Sequence, residues 1–247
     1  MPRTARKKSA SGIYHIILRG INRQTIFSDE EDNDEFIKIL SECKKLSGFD
    51  LYGYCLMGNH VHLLIKEKSE TIEQIMKRIG TRYVIRYNRK YRRCGHLFQD
   101  RFKSEAVEDD SYFLTVLRYI HQNPQKAELC KEPDQYPWSS YRDYISKKGI
   151  TDVDFALDII RENRFVEFMN EQSSDKVLEY DEERIRLTDM QLSEKIELDY
   201  NIKAIMIQNE PKDKMMKILR QILKYDGVST RQLSRVTGIP THIIWKM

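Results

Sequence analysis

The sequence predicts an α+β protein in which a ferredoxin-like antiparallel sheet with helices is followed by an α-helical region ending in a helix-turn-helix-like unit. Three observations carry this. Short apolar runs of strand length alternate with longer segments of helical period, in the order βαββα and then β and α, over residues 13–122. Charge divides along the chain: residues 1–150 hold 27 Lys and Arg against 20 Asp and Glu, and the remainder holds 15 against 18. At 247 residues the chain also exceeds the usual size of one domain.

Ile13 to Leu18 reads as the first strand. A helix follows from Ser28 through Leu46, because Ser28 and the early carboxylates favour an N-terminus, and Gly48 is placed to stop it. Phe49 to Leu56 and Val61 to Lys66 form a hairpin around Met57-Gly58-Asn59, and Asn59 is assigned to that turn. Thr71 to Tyr91 has helical period through Ile72, Ile75, Ile79, Tyr83 and Tyr87. Leu97 to Val107 is the last strand, and Asp109 to Gln122 a helix ended around Asn123-Pro124. Tyr136-Pro-Trp-Ser-Ser-Tyr141 reads as a turn into a short closing helix.

These elements divide the chain into a basic arm at 1–10, the sheet domain at 11–145, an acidic helical connector at 146–210 centred on Asp181-Glu-Glu183, and a terminal unit at 211–247. In the terminal unit, Lys212 to Lys224 is an apolar-periodic helix broken by Asp226-Gly227. Ser229 caps a second helix to Val236, Thr237-Gly-Ile239 turns, and Pro240 begins a third. Leu233, Val236, Ile239 and Ile244 have helix-turn-helix spacing. With only Pro240 to Met247 for the last helix, DNA contact and simple helical packing both stay open.

No apolar run approaches the roughly 18 to 20 residues of a membrane span, and the first ten residues lack the apolar segment of a secretory signal. No membrane association is expected. Cys43, Cys55, Cys94 and Cys130 lie scattered, without Cys-x-x-Cys spacing, and read as reduced structural thiols.

The chemistry begins at His60-Val61-His62. On a strand, residues i and i+2 share a face about 6.5 to 7 Å apart, so two imidazoles can converge on one ion while Val61 enters the core. Buried, hydrogen-bonded histidines are the plainer reading, and zinc with a fourth ligand is a competing one. His15 and His96 read as ordinary polar or capping groups. Lys77, Arg78, Arg82, Arg86, Arg89, Lys90, Arg92, Arg93, Arg101 and Lys103 fall in one stretch where Asp100 is the only acid, interleaved with Tyr83, Tyr87 and Tyr91. Cations beside aromatics suit single-stranded nucleic acid, unless the tyrosines turn into the core and leave a solvated basic face.

Gly58-Asn-His-Val-His-Leu-Leu, Gly95-His-Leu-Phe-Gln-Asp-Arg-Phe-Lys-Ser104, Arg118-Tyr-Ile-His-Gln-Asn-Pro124 and Trp138-Ser-Ser-Tyr141 stand in the same order as in a known group. Over about residues 10 to 145 the chain resembles the single-tyrosine HUH transposases, IS200-like and nearer to the REP-associated tyrosine transposase branch. The resemblance implies the HUH endonuclease fold and a bacterial-type, cytoplasmic protein acting on single-stranded DNA at a hairpin or short palindrome. It also implies Tyr119 as a nucleophile leaving a 5′-phosphotyrosine, and His60, His62 and Asn123 as ligands of a divalent ion, Mg²⁺ or Mn²⁺. Tyr119 and Asn123 share a helical face at i, i+4. Tyr112 and His121 are nearby, but only Tyr119 stands in the family's tyrosine position.

Arg78, Arg82, Arg86, Arg89, Arg92, Arg93, Arg101 and Lys103 are the expected DNA contacts. Relatives act as homodimers or alone, and the sequence leaves the homodimer open. A tyrosine is only about 0.1% phenolate at pH 7, a deficit of roughly 4 kcal/mol that the site has to offset. A hairpin-binding regulatory protein that does not cut is the alternative reading.

Overall fold

The computed structural model describes residues 7–171, 177–178, 187, 189–225 and 228–245. Most of the basic arm, Asp181-Glu-Glu183 and the Asp226-Gly227 break lie outside the described residues. The chain forms two compact units, 1–179 and 180–247.

In the first unit the predicted order of elements is observed. Strand β1 (Ile13–Arg19) leads to helix α1 (Glu30–Ser47), strands β2 (Asp50–Met57) and β3 (His60–Lys66), helix α2 (Ile72–Lys90), strand β4 (Lys103–Val107) and helix α3 (Asp110–Lys126). The sheet order is β2-β3-β1-β4 with every neighbour antiparallel, which is the ferredoxin-like arrangement. Alternation sorts the strands' two faces. Tyr14, Ile16, Leu18, Val61, Leu63 and Ile65 pack with α1 and α2, while Ile13, Cys55, Leu64 and Val107 pack with Phe113, Val116 and Leu117 of α3.

Three expected boundaries are corrected. Asp29, rather than Ser28, caps α1: its side chain accepts from the Asp32 N–H, and the Ser28 N–H instead donates to Asp32. Gly48 does stop α1, in the left-handed region at φ 66°. The last strand begins at Lys103, because Leu97–Phe102 only brackets the end of β1, through Ile21 N–H to Leu97 O and Gln99 N–H to Arg19 O, both 2.9 Å. Helix α3 continues through Pro124 to Lys126. A proline forfeits a single helical donor, and the following turn still closes through Ala127 N–H to Asn123 O at 3.0 Å.

The exposed edge of β2 is covered by the segment that the sequence marks as a closing turn. Leu56 N–H donates to Trp138 O and Ser140 N–H to Tyr54 O, both at 2.9 Å, before helix α4 (Tyr141–Ser146). Helices α5 (Asp154–Ile160) and α6 (Phe165–Asn170) then add Ala156, Leu157, Ile160, Phe165 and Met169 to the core around α3. The start of the predicted connector therefore belongs to the first unit.

The second unit packs α7 (Asp189–Tyr200), α8 (Lys212–Ile222), α9 (Thr230–Thr237) and α10 (Thr241–Trp245) around Leu192, Ile196, Ile207, Leu219, Ile222 and Leu233. Ser229 caps α9 and Gly238, at φ 74°, turns the chain toward α10. Arg235 and Asp189 form a double ion pair, both distances 2.9 Å, that ties α9 to α7. Among the described residues no helix is long and apolar enough to cross a membrane.

Candidate active site

The site lies where β1 and β3 face α3. Register pairs Ile17 with His62 and Arg19 with His60, so the two histidines sit on one face and Val61 is buried on the other, as the strand period requires. The His60 and His62 rings meet edge to face, 4.9 Å between centroids. Helix α3 runs across this face and brings the Tyr119 ring edge-on to His62 at 5.5 Å. Tyr119 is buried, at 8% exposure. Asn123, one turn later and half-buried, donates its amide to Tyr119 O at 3.1 Å, so the carbonyl oxygen is the atom it could offer a cation.

Both imidazoles are held at Nδ1. His60 Nδ1 is 2.7 Å from Asn59 Oδ1, which places the proton on Nδ1 and leaves Nε2 with its lone pair. Asn59 therefore orients His60 in addition to serving the turn. His62 Nδ1 is 3.1 Å from Nε2 of His15. Burial first, and Arg19 second, pull His60 down to about 4. Burial also takes His15 to about 3 and holds His62 well below 6.5, with His15 and His60 adding to the effect on His62.

Neutral imidazoles with Nδ1 engaged fit a divalent ion bound through Nε2, with positions left for other oxygens. Among the described residues no group of three or more His, Cys, Asp or Glu side chains could hold a metal ion. A closed zinc site made of those residue types is thus not part of the described structure.

His15 is the residue that sequence reasoning missed. In place of the ordinary polar group expected there, the ring is fully buried and stacks on His62, 5.3 Å between centroids and 19° between planes. The one signal in the sequence is a lone imidazole in the alternation Ile13-His15-Ile17.

The rivals to Tyr119 have structural employment. The Tyr112 hydroxyl donates to Glu105 at 2.5 Å, and burial plus that carboxylate push its phenol up. His121 points away into the core, 2.8 Å from Ser140 Oγ, and burial takes it to about 3. Lys126 Nζ sits over the Tyr119 ring, 4.8 Å from its centroid. Lys103 of β4 lies opposite Ile17, which lies opposite His62, so this cation belongs to the histidine face.

The basic stretch divides. Arg78 pairs with Glu70, Arg82 with Glu42 at 3.1 Å and Arg86 with Glu31 at 2.6 Å, while Lys90 meets Asp29 and Asp32. Apart from Glu70, these counter-charges come from α1 and its cap Asp29, distant in sequence from the basic stretch. Arg89, Arg92 and Arg101 are exposed, and Arg93 lies 5.6 Å from the Tyr87 ring. Tyr83 and Tyr87 turn into the core, with Tyr87 donating to Thr25 O at 3.0 Å, and Tyr91 donates to Asp32 at 2.7 Å. These rings do not form a base-stacking surface. Cys43 and Cys55 are buried free thiols, and Cys94 and Cys130 are also free.

Residues 8–123 match the family model described as Transposase IS200 like. The solved structure of the REP-associated tyrosine transposase bound to a REP hairpin is similar over 73% of this chain and 100% of its own, at 15% identity with a TM-score of 0.52. A crystal structure called a transposase from Deinococcus radiodurans R1 aligns over 49% of this chain and 96% of its own, at 20% identity and a TM-score of 0.35. None of the curated proteins matches the sequence.

Proposed function

Residues 8–123 belong to the IS200-like transposase family, and from that premise we propose that the chain cuts and rejoins single-stranded DNA through a covalent bond to Tyr119. His60, His62 and Asn123 would hold a divalent ion, Mg²⁺ or Mn²⁺. The observation that carries this reading is the edge-on contact of Tyr119 with His62, 5.5 Å between ring centroids. It joins the only tyrosine in the family position to the paired imidazoles.

In the proposed step the Tyr119 phenolic oxygen forms a bond to phosphorus as the P–O3′ bond breaks. The departing 3′ oxygen takes up a proton, and the phenolic proton passes to solvent. A 5′-phosphotyrosine and a free 3′-hydroxyl remain. Attack by a 3′-hydroxyl on the phosphotyrosine reverses the reaction, so the bond energy is conserved and no nucleotide cofactor is needed. The divalent ion, when bound, supplies Lewis-acid stabilisation of the charge on the phosphoryl oxygens. His60 and His62 serve as neutral donors for it, held at Nδ1 by Asn59 and His15. Lys103 on the same face, with Arg89, Arg92, Arg93 and Arg101, would bind the DNA backbone. A hairpin is the substrate shape to test first.

The test is a denaturing gel of the full chain with labelled single-stranded hairpin DNA and Mn²⁺ or Mg²⁺. Wild type should give a metal-dependent covalent adduct, and Tyr119→Phe and His60→Ala should give none. An adduct retained by Tyr119→Phe would remove Tyr119 from the chemistry. Tight hairpin binding with no adduct across a wide set of oligonucleotides would move the protein to the class of hairpin-binding regulators.

A further inference from the structure

We infer that His15 is a positioning residue for the metal site: its Nε2 accepts the Nδ1 proton of His62 and so fixes the tautomer and ring orientation in which His62 can ligate a divalent ion. The inference rests on the metal-dependent reading above and assigns a role to a residue outside the His-x-His motif.

Position 15 lies mid-strand on the α3 face, between Ile13 and Ile17, where an aliphatic side chain would pack without polar cost. The imidazole there is fully buried, and among the described residues its Nδ1 has no hydrogen-bond partner. Stability of the fold therefore does not account for a histidine. Among the described residues the ring's polar partner is His62, with Nε2 3.1 Å from Nδ1.

A ring that ligates through Nε2 has its proton on Nδ1, and that N–H needs an acceptor to hold the ring in place. Only the Nδ1–H tautomer of His15 presents an acceptor at Nε2, and this is the form that leaves its buried N–H at Nδ1 without a partner. The arrangement thus accepts a local cost that serves His62. His60 has the corresponding holder in Asn59, so each of the two imidazoles is oriented by its own neighbour. The His15 ring also meets Tyr119 edge-on at 6.0 Å, touching the candidate ligand and the candidate nucleophile together.

The experiment measures Mn²⁺ affinity of the full chain by electron paramagnetic resonance, with and without hairpin DNA, alongside thermal melting. His15→Leu should bind Mn²⁺ about 10- to 100-fold more weakly, the usual loss for an outer-shell partner, while melting no lower than wild type. His15→Gln, whose Oε1 can accept the same proton, should recover most of the affinity. Wild-type affinity in His15→Leu, or equal losses in Leu and Gln variants, would overturn the inference. If both variants fail to fold, ¹⁵N imidazole spectra of the Mg²⁺-loaded wild type decide: an Nδ1–H on His62 is expected, and an Nε2–H overturns the assignment. His62→Ala separates the two levels. If it binds Mn²⁺ like wild type, the metal reading fails and this one with it; if it loses Mn²⁺ while His15→Leu does not, only the role of His15 falls.

Discussion

Lys126 Nζ stands 4.8 Å from the centroid of the Tyr119 ring, two turns further along the same helix. A cation over an aromatic face interacts more strongly as the ring gains electron density, and such contacts contribute about 0.5 to 2 kcal/mol depending on desolvation. Lys126→Met should therefore slow formation of the covalent DNA adduct by roughly three- to thirtyfold at pH 7, and Lys126→Arg should keep most of the rate. Single-turnover kinetics with saturating DNA read this directly. Equal rates in wild type and Lys126→Met would leave the cation with a packing role only.

How much was legible in the sequence follows from which interactions are local. The His-x-His pair, the facing of Val61 and the stop at Gly48 depend on strand period or one backbone angle, and each is found where the residues alone put it. His15 escaped because its meaning comes from a partner in β3, and no local pattern reveals that pairing. The pairing of Arg78, Arg82 and Arg86 was hidden for the same reason, since their acids come from α1 and from Glu70 ahead of α2. Pro124 misled in the opposite way: a strong local breaker is tolerated because the helix gives up one hydrogen bond near its end.

That pairing predicts a division within the basic stretch. Arg89, Arg92, Arg93 and Arg101 have no ion pair among the described residues, whereas Arg78, Arg82 and Arg86 already have carboxylate partners. Alanine at each of the first four should weaken single-stranded DNA binding and lower the slope of log K against log salt by about 0.7 for every phosphate no longer neutralised. Alanine at the paired three should change the slope little. The reverse ordering in salt-titrated binding would show that the ion pairs open to meet DNA.

The Arg78–Glu70 pair also sets an acid limit that can be measured. Hydrogen bonds from Arg78 first, and from Ser47 second, lower the Glu70 carboxyl from 4.5 to about 2. A folded-state value below the unfolded one means that the unfolded chain takes up the proton first as pH falls. The stabilisation is complete above 4.5 and disappears as pH drops toward 2. The gap in melting temperature between wild type and Glu70→Gln should be constant from about pH 7 to pH 5 and close progressively below that. A gap of fixed size down to about pH 2 would show that the pair does not contribute through charge.

Gly53 controls how closely α3 can approach the sheet, and hence where Tyr119 sits. It lies on β2 opposite Leu64, on the face that α3 covers. A Cβ at this position would stand 2.9 Å from Leu117 Cδ1 and 3.6 Å from Ser140 Oγ. Leu117 is fully buried, so its methyl group has little room to yield. Overpacking of this kind costs roughly 1 to 3 kcal/mol, and the strain can be relieved by moving α3 outward. Leu117 and Tyr119 share that helix, so an outward shift would also separate Tyr119 from His62. Gly53→Ala should accordingly lower the melting temperature and reduce adduct formation by more than the folded fraction explains, with Mn²⁺ affinity at His60 and His62 less affected. If the loss of adduct tracks the loss of folded protein alone, the close approach at Gly53 matters for stability and not for the placement of the nucleophile.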